Sequence, residues 1–91
     1  MSEFQRKVYM VVEKIPKGKV ISYRELAEEI GHPKAWRAVG NILNKNKNAK
    51  IPCHRVIKSN GEIGGYKSGT KKKMTLLKSE GMVIRNGRVV L

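Results

Sequence analysis

Two short amphipathic segments joined by a sharp turn constrain the fold more than any other part of the chain. The first begins at Ser22–Glu25, a capping box in which serine and glutamate side chains bond the free N–H groups of a helix start. It ends at Gly31, and His32-Pro33 prevents its continuation because the residue before a proline disfavours helical backbone. A second helix follows at once and places these residues on one side: Ala35, Ala38, Val39, Ile42 and Leu43. The pattern predicts a helix-turn-helix, although helical hairpins that bind no DNA share it.

A further helix is predicted at the N-terminus. Ser2 and Gln5 form a second capping box, and apolar residues then follow at helical spacing until a turn at Pro16–Lys19. Val20-Ile21 is at most a short extended piece. The polar run Asn44–Asn48 is predicted to end the helix before it and to form a basic loop.

The C-terminal third is predicted to contain one helix and small hairpins. Ser59-Asn60-Gly61 is a hairpin turn signal. Thr70 is predicted to cap a helix that continues through Glu80. Val83–Arg85 and Arg88–Val90 flank an Asn-Gly turn and form a closing hairpin. The expected fold class is mainly α with small β-hairpins, a winged helix-turn-helix DNA-binding domain.

The net charge of the chain indicates what the predicted helix-turn-helix binds. The chain has 91 residues, enough for one small domain, and its 20 Lys and Arg against 7 Asp and Glu give a formal charge of +13. Such an imbalance favours a nucleic-acid partner, with a solvated lysine-rich surface as the alternative. One Phe and one Trp are too few for a platform that stacks single-stranded bases. Duplex DNA is therefore the expected partner.

Several other classes of protein are disfavoured by composition. No segment has the length and apolarity of a membrane span, and the N-terminus lacks a signal-peptide pattern. A lone cysteine forms no internal disulfide, and one cysteine with two distant histidines falls short of a structural zinc site. We expect a monomer that needs no metal or organic cofactor, binds no membrane, and lies in the cytoplasm with the nucleoid or in a nucleus.

The segment Ile51–Ile57 contains the residues best suited to covalent chemistry. Cys53 is the only cysteine, and the next residue, His54, is a candidate base. A thiol must lose its proton to attack carbon, so this neighbour matters. The alternatives are an inert buried thiol and a structural imidazole, because adjacent side chains need not face each other.

Five motifs in combination give the chain a specific resemblance. They are Ser22–Ala27, Arg37–Gly40, Pro52–Val56, Gly64–Tyr66 and Glu80-Gly81. Together they resemble the catalytic domain of the O6-alkylguanine-DNA alkyltransferases, over roughly Phe4 to Gly81. Members usually carry an additional N-terminal domain, so residues 1–91 are expected to be the catalytic, DNA-binding domain alone. The small alkyltransferase-like relatives also lack that domain, but they typically replace the cysteine, which this chain retains.

The resemblance implies a suicide DNA-repair reaction and roles for five residues. Cys53 would take the alkyl group from guanine O6 permanently, after His54 removes the thiol proton through a bridging water. Glu80 would orient His54, and Asn46 would join the recognition helix to the active-site segment. Tyr23 would aid rotation of the flipped nucleotide and protonate the leaving guanine at N3.

The resemblance also implies a minor-groove recognition helix. Arg37 would enter the duplex as a finger and fill the gap left by the extruded base. Three small residues would allow close approach to DNA: Ala35, Ala38 and Gly40. Trp36 departs from the family pattern, and the sequence leaves open whether it packs inward or meets the sugar-phosphate edge.

The substrate pocket is expected to combine backbone and side-chain groups. The carbonyl groups of Cys53 and Val56 would bind the guanine amino group, and Tyr66 would wall the alkyl pocket. Lys67 lies where some members carry a serine that contacts O6, and Ser68 is also expected to line the pocket. The other lysines, including Lys71–Lys73, are interpreted as phosphate contacts or solvated charges.

The predicted function is single-turnover transfer of a methyl or other small alkyl group from O6-alkylguanine in duplex DNA to Cys53. A non-catalytic lesion sensor that recruits other repair proteins is the first alternative. A winged-helix transcriptional regulator with an incidental thiol is the second.

Overall fold

Within the described residues, 2–66 and 69–90, the computed structural model contains four α-helices and two pairs of short strands. The elements, in chain order, are α1 (Glu3–Glu13), β1 (Ile21–Ser22), α2 (Tyr23–Glu29), α3 (Trp36–Lys45), a 3₁₀ turn (Cys53–Arg55), β2 (Val56–Ile57), α4 (Thr70–Ser79), β3 (Val83–Arg85) and β4 (Arg88–Val90). None of the helices in these ranges is long and apolar enough to cross a membrane. The predicted class, mainly helical with small β elements, is confirmed.

The first three helices form the predicted arrangement. Both capping boxes are present, Ser2 with Gln5 and Ser22 with Glu25. Gly31 has φ +83°, a left-handed conformation that costs glycine little and ends α2 sharply before α3 begins. The main core lies where α1, α2, α3 and the 3₁₀ turn meet, and its buried members are Val8, Val12, Ile15, Leu26, Ala27, Ile30, Val39, Leu43, Cys53 and Val56.

Helix α3 presents a narrower apolar side than predicted. Val39 and Leu43 are buried, whereas Ala38 is exposed. The prediction that Ala38 packs with them was wrong, because a methyl group offers little area to bury and the larger side chains set the rotation of the helix. The helix also continues through Lys45, further than the asparagine-rich run predicted.

A short parallel ladder links two segments that are distant in sequence. Ile21 pairs with Val56, and Ser22 pairs with Ile57. Local sequence patterns do not encode this pairing, and it was not predicted. Its consequence is that the start of α2 lies directly beside the end of the Cys53 segment.

The C-terminal third differs from prediction at two points. Thr70 is the first helical residue and makes no capping bond; Gly69 is the N-cap, and its φ of +94° is a conformation that threonine disfavours. The Ser59–Gly61 turn forms, but Glu62 then bridges to Arg88 instead of continuing a hairpin with β2. The closing hairpin of β3 and β4 is confirmed.

Candidate active site

Cys53 begins the 3₁₀ turn and is almost completely enclosed, with 4% of its surface exposed. Its backbone N–H donates to the Ile51 carbonyl at 2.8 Å. Its carbonyl accepts the N–H of Val56 at the end of the turn. Pro52 is the N-cap of the turn, and its carbonyl accepts the N–H of Arg55 at 3.0 Å. These bonds fix the direction of the thiol relative to the core.

Asn46 makes a polar contact with the sulfur of Cys53. It is the C-cap of α3 and is buried. Its side-chain oxygen accepts the N–H of Asn48 at 3.0 Å, which assigns the amide orientation and turns Nδ2 toward the Cys53 sulfur at 3.0 Å. An N–H donated to sulfur stabilises the thiolate relative to the thiol. The predicted proximity of Asn46 to the active-site segment is thus present, although its role stays a prediction.

His54 and Glu80 form a second pair of polar side chains in the site, in contact with each other. His54 Nε2 lies 2.9 Å from Glu80 Oε2, and both side chains are nearly buried. The pKa of Glu80 is lowered to about 2, first by its hydrogen bond from Arg55 and also by His54, so the carboxylate is ionised at neutral pH. Neutral His54 must therefore donate from Nε2, which leaves Nδ1 as the proton acceptor.

Arg55 holds this carboxylate with two hydrogen bonds, a contact that was not predicted from the sequence. Its Nε and Nη2 donate to the two oxygens of Glu80 at 3.0 and 2.7 Å, and Nη1 donates to the Ile15 carbonyl at 2.7 Å. Glu80 lies at the C-cap of α4, where the helix dipole disfavours a negative charge. That unfavourable position was the sequence signal that a cation must lie close to Glu80.

Lys73 corrects another prediction. It was interpreted as a phosphate contact or solvated charge, but its side chain is fully buried. Its ammonium group donates to the Val56 carbonyl at 2.7 Å, the Tyr23 hydroxyl at 3.2 Å and the Gly65 carbonyl at 3.2 Å. Burial lowers the pKa of Lys73 to about 8. Its spacing of one helical turn from buried Leu77 was the available signal, since residues at i and i+4 share a face.

Tyr23 connects this lysine to the surface. Its hydroxyl donates to the Gly65 carbonyl at 3.4 Å, and burial together with the negative charge of Cys53 raises its pKa. A Cβ atom at Gly64 would lie 3.3 Å from the Tyr23 ring, and Gly64 has φ +78°. Glycine is therefore required there by both conformation and space.

The other predicted pocket residues are only partly placed. One lone pair of the Val56 carbonyl accepts Lys73, which leaves the second for another donor. Tyr66 is half-buried and packs against the main core. Lys67 and Ser68 lie outside the described residues.

A cavity of about 540 Å³ lies beside the outward face of α3. It is lined by Tyr23, Arg24, Trp36, Arg37, Gly40, Asn41, Asn44, Lys58, Ser59, Asn60 and Gly65. Arg37 and Ala38 are exposed, and Ala35 is half-buried at the N-cap of α3. Gly40 faces the Tyr23 ring, since a Cβ atom there would lie 3.8 Å from it. Tyr23 and Gly65 join this cavity to the buried lysine.

Trp36 does not pack inward. Its side chain is 46% exposed, and the Arg37 guanidinium carbon lies 5.0 Å from its ring centroid. Of the two positions that the sequence left open for Trp36, packing into the core is therefore excluded.

The family model and the most similar curated proteins name the same kind of protein. The family described as "6-O-methylguanine DNA methyltransferase, DNA binding domain" matches residues 3–82. A methylated-DNA–protein-cysteine methyltransferase of Methanosarcina acetivorans is 51% identical over 81 residues, which cover 88% of this chain and 52% of that protein. The chain thus spans about half the length of the curated relatives it matches.

Solved structures agree with the sequence comparison. A Mycobacterium tuberculosis OGT in complex with DNA has a TM-score of 0.83 and 41% identity, covering 88% of this chain and 50% of the other. S. pombe Atl1 in complex with damaged DNA containing O6-carboxymethylguanine has a TM-score of 0.86 and 35% identity, covering 100% and 90%. These neighbours confirm the predicted fold class. The chain belongs to the family of 6-O-methylguanine DNA methyltransferase DNA-binding domains.

Proposed function

We propose that this protein repairs duplex DNA by moving a methyl or other small alkyl group from guanine O6 to the sulfur of Cys53. One observation carries the proposal: a buried thiol bonded by the Asn46 amide lies next in sequence to a histidine that is oriented by an ionised carboxylate. The name of the Methanosarcina relative supports the same chemistry.

The proton of the thiol leaves through His54. Glu80 is ionised and accepts the Nε2 proton, so Nδ1 is the atom that takes the thiol proton, through a bridging water. Asn46 donates to the sulfur and stabilises the thiolate that results. Arg55 keeps Glu80 in place and takes no part in proton transfer.

The transfer is an SN2 displacement. A bond forms between the Cys53 sulfur and the alkyl carbon while the bond from that carbon to guanine O6 breaks. The electron pair stays on the guanine, and Tyr23 gives it a proton at N3. The raised pKa of Tyr23 keeps this proton on the hydroxyl until the leaving group demands it. Lys73 positions the hydroxyl and can restore its proton.

The modified base must leave the stack to reach Cys53. O6 of a stacked, paired guanine cannot meet a buried thiol in line, so the nucleotide has to rotate out. The cavity between α3 and Lys58–Asn60 is open to solvent at Arg37 and reaches Tyr23, which suits an extruded nucleotide. Arg37 would fill the gap in the duplex, and the charge of +13 would supply sequence-independent affinity for phosphates. The protein would act where chromosomal DNA lies, in the cytoplasm or a nucleus.

The test is an intact-mass measurement. The protein is incubated with duplex DNA carrying O6-methylguanine, and a mass gain of one methyl group is expected. The gain must be absent in Cys53→Ala, which removes the only cysteine of the chain. Methyl gain that persists in Cys53→Ala would contradict the assignment of the nucleophile.

A lesion sensor is the second candidate function. It is favoured by the similarity to S. pombe Atl1 with damaged DNA, because this chain covers 90% of that protein. It does not explain why the only cysteine lies within the polar contacts described above. Tight binding to lesion DNA without any mass gain would favour the sensor.

A further inference from the structure

Trp36 is the one large aromatic side chain at the rim of the cavity that the proposed reaction does not use. It begins α3, is 46% exposed and is the only tryptophan in the chain. Three other large apolar residues are similarly exposed in the described part of the chain: Met10, Val83 and Val90. None of these three lines the cavity.

The groups around Trp36 suit a nucleic acid. The Arg37 guanidinium lies over the indole ring at 5.0 Å from its centroid, a cation–π arrangement. The lining of the same cavity carries two further cations, Arg24 and Lys58, and three side-chain amides, Asn41, Asn44 and Asn60. Indole rings stack on any nucleobase, and cations at the rim match phosphates.

The position of Trp36 favours a base over the sugar-phosphate edge. It directly precedes Arg37, the residue expected to enter the duplex, and it lines the same cavity as Tyr23. An indole that faces a gap in the stack can cover the exposed face of a neighbouring base.

We propose that Trp36 stacks on a nucleobase of the duplex beside the extruded nucleotide and so sets affinity for DNA. This inference rests on the proposed function for the identity of the partner. It adds a stacking surface next to the arginine finger.

Tryptophan fluorescence tests the inference directly, because only Trp36 contributes to it. The wild-type chain is titrated with undamaged duplex, and Cys53→Ala with duplex carrying O6-methylguanine. Stacking beside an extruded nucleotide predicts quenching that saturates with binding in the lesion titration, and weaker quenching with the undamaged duplex. Binding without quenching would assign Trp36 to the sugar-phosphate edge and overturn the inference.

Three variants separate stacking from a general loss of apolar surface. Trp36→Ala is expected to weaken duplex binding at least about fivefold, the lower bound for removing one base stack. Trp36→Phe should lose less, since its ring still stacks. Met10→Ala, an equally exposed apolar residue on α1, is the control and should bind as wild type. A smaller loss in Trp36→Ala, or a Phe variant no better than Ala, would overturn the inference.

Failure of this inference is distinguishable from failure of the proposed function. Methyl transfer to Cys53 is scored by mass, whereas stacking is scored by fluorescence and affinity. Transfer with no quenching refutes only the role of Trp36. Quenching with no transfer refutes only the transferase.

Discussion

The Cys53 segment and the outward face of α3 are built in opposite ways. Around Cys53 the polar side chains of the site are wholly or largely buried, and within the described residues no buried side-chain nitrogen or oxygen lacks a partner. The outward face of α3 instead presents exposed Arg37 and Trp36 beside an open cavity. Chemistry needs groups that are already oriented, because reorganisation would add to the barrier. A face that binds DNA can be ordered by its partner.

The largest effect is expected from removing the proposed base. His54→Gln should slow methyl transfer by about 10²- to 10⁴-fold, the usual contribution of a positioned general base. Single-turnover assays with O6-methylguanine duplex measure the rate. His32→Gln is the matched control, since the other histidine is exposed in the turn before α3. A loss of less than tenfold in His54→Gln would contradict the role of His54 as the base.

Glu80 tests whether the buried region stabilises the fold as well. Its pKa is depressed from 4.5 to about 2, so its stabilisation is complete above pH 4.5 and is lost as pH falls through 2. The shift in pKa corresponds to a contribution of Glu80 to the free energy of unfolding on the order of 3 kcal/mol. Urea unfolding between these pH values should show this loss in wild type and lack it in Glu80→Gln. Glu29→Gln, an exposed carboxyl on α2, should keep the wild-type pH dependence.

Lys73 tests the link between the two regions. Lys73→Met keeps the buried stem but removes the donor to Tyr23, so transfer should slow about tenfold, as for loss of a charged hydrogen bond. The wild-type rate should also fall as pH rises through about 8, where Lys73 loses its proton. The Met variant should lack this alkaline limb. An unchanged limb would show that Lys73 does not supply the proton. Lys72→Met, an exposed neighbour on α4, is the control.

Arg37 gives the smallest expected effect because it acts on binding and base extrusion, not on bond making. Arg37→Ala should reduce repair of paired duplex lesions by several-fold, because the arginine offsets only part of the few kcal/mol that extrusion costs. Reaction with free O6-methylguanine should fall less. Arg6→Ala, an exposed arginine on α1, is the charge-matched control. Equal losses on duplex and free base would contradict a finger role.

The sequence predicted the local elements of the fold better than the contacts inside the buried site. Capping boxes and Gly31 are local signals, so α1, α2 and the turn before α3 were predicted correctly. Lys73 was misjudged, and the contacts of Arg55 were not predicted, because their partners lie far along the chain: Lys73 bonds the Tyr23 hydroxyl, and Arg55 bonds the Ile15 carbonyl. From sequence alone, long charged side chains are predicted to be exposed to solvent, because the acceptors that allow their burial are known only from the tertiary fold.

The β1–β2 ladder shows the same limit. Two-residue strands carry no periodicity, yet the pairing of Ile21 with Val56 brings Tyr23 beside the active-site segment. Resemblance to the family supplied candidate roles for Tyr23 and Glu80. The bond from Lys73 to Tyr23 and the bonds from Arg55 to Glu80 were known only once the fold was available.

The most direct test of the account is the stoichiometry and location of the transferred methyl group. The protein is mixed with a large excess of duplex containing O6-methylguanine, digested, and its peptides are weighed. The account predicts one methyl per chain, on the peptide that contains Cys53, with no further turnover however long the reaction continues. Methyl on another residue, or more guanines repaired than protein molecules present, would contradict it.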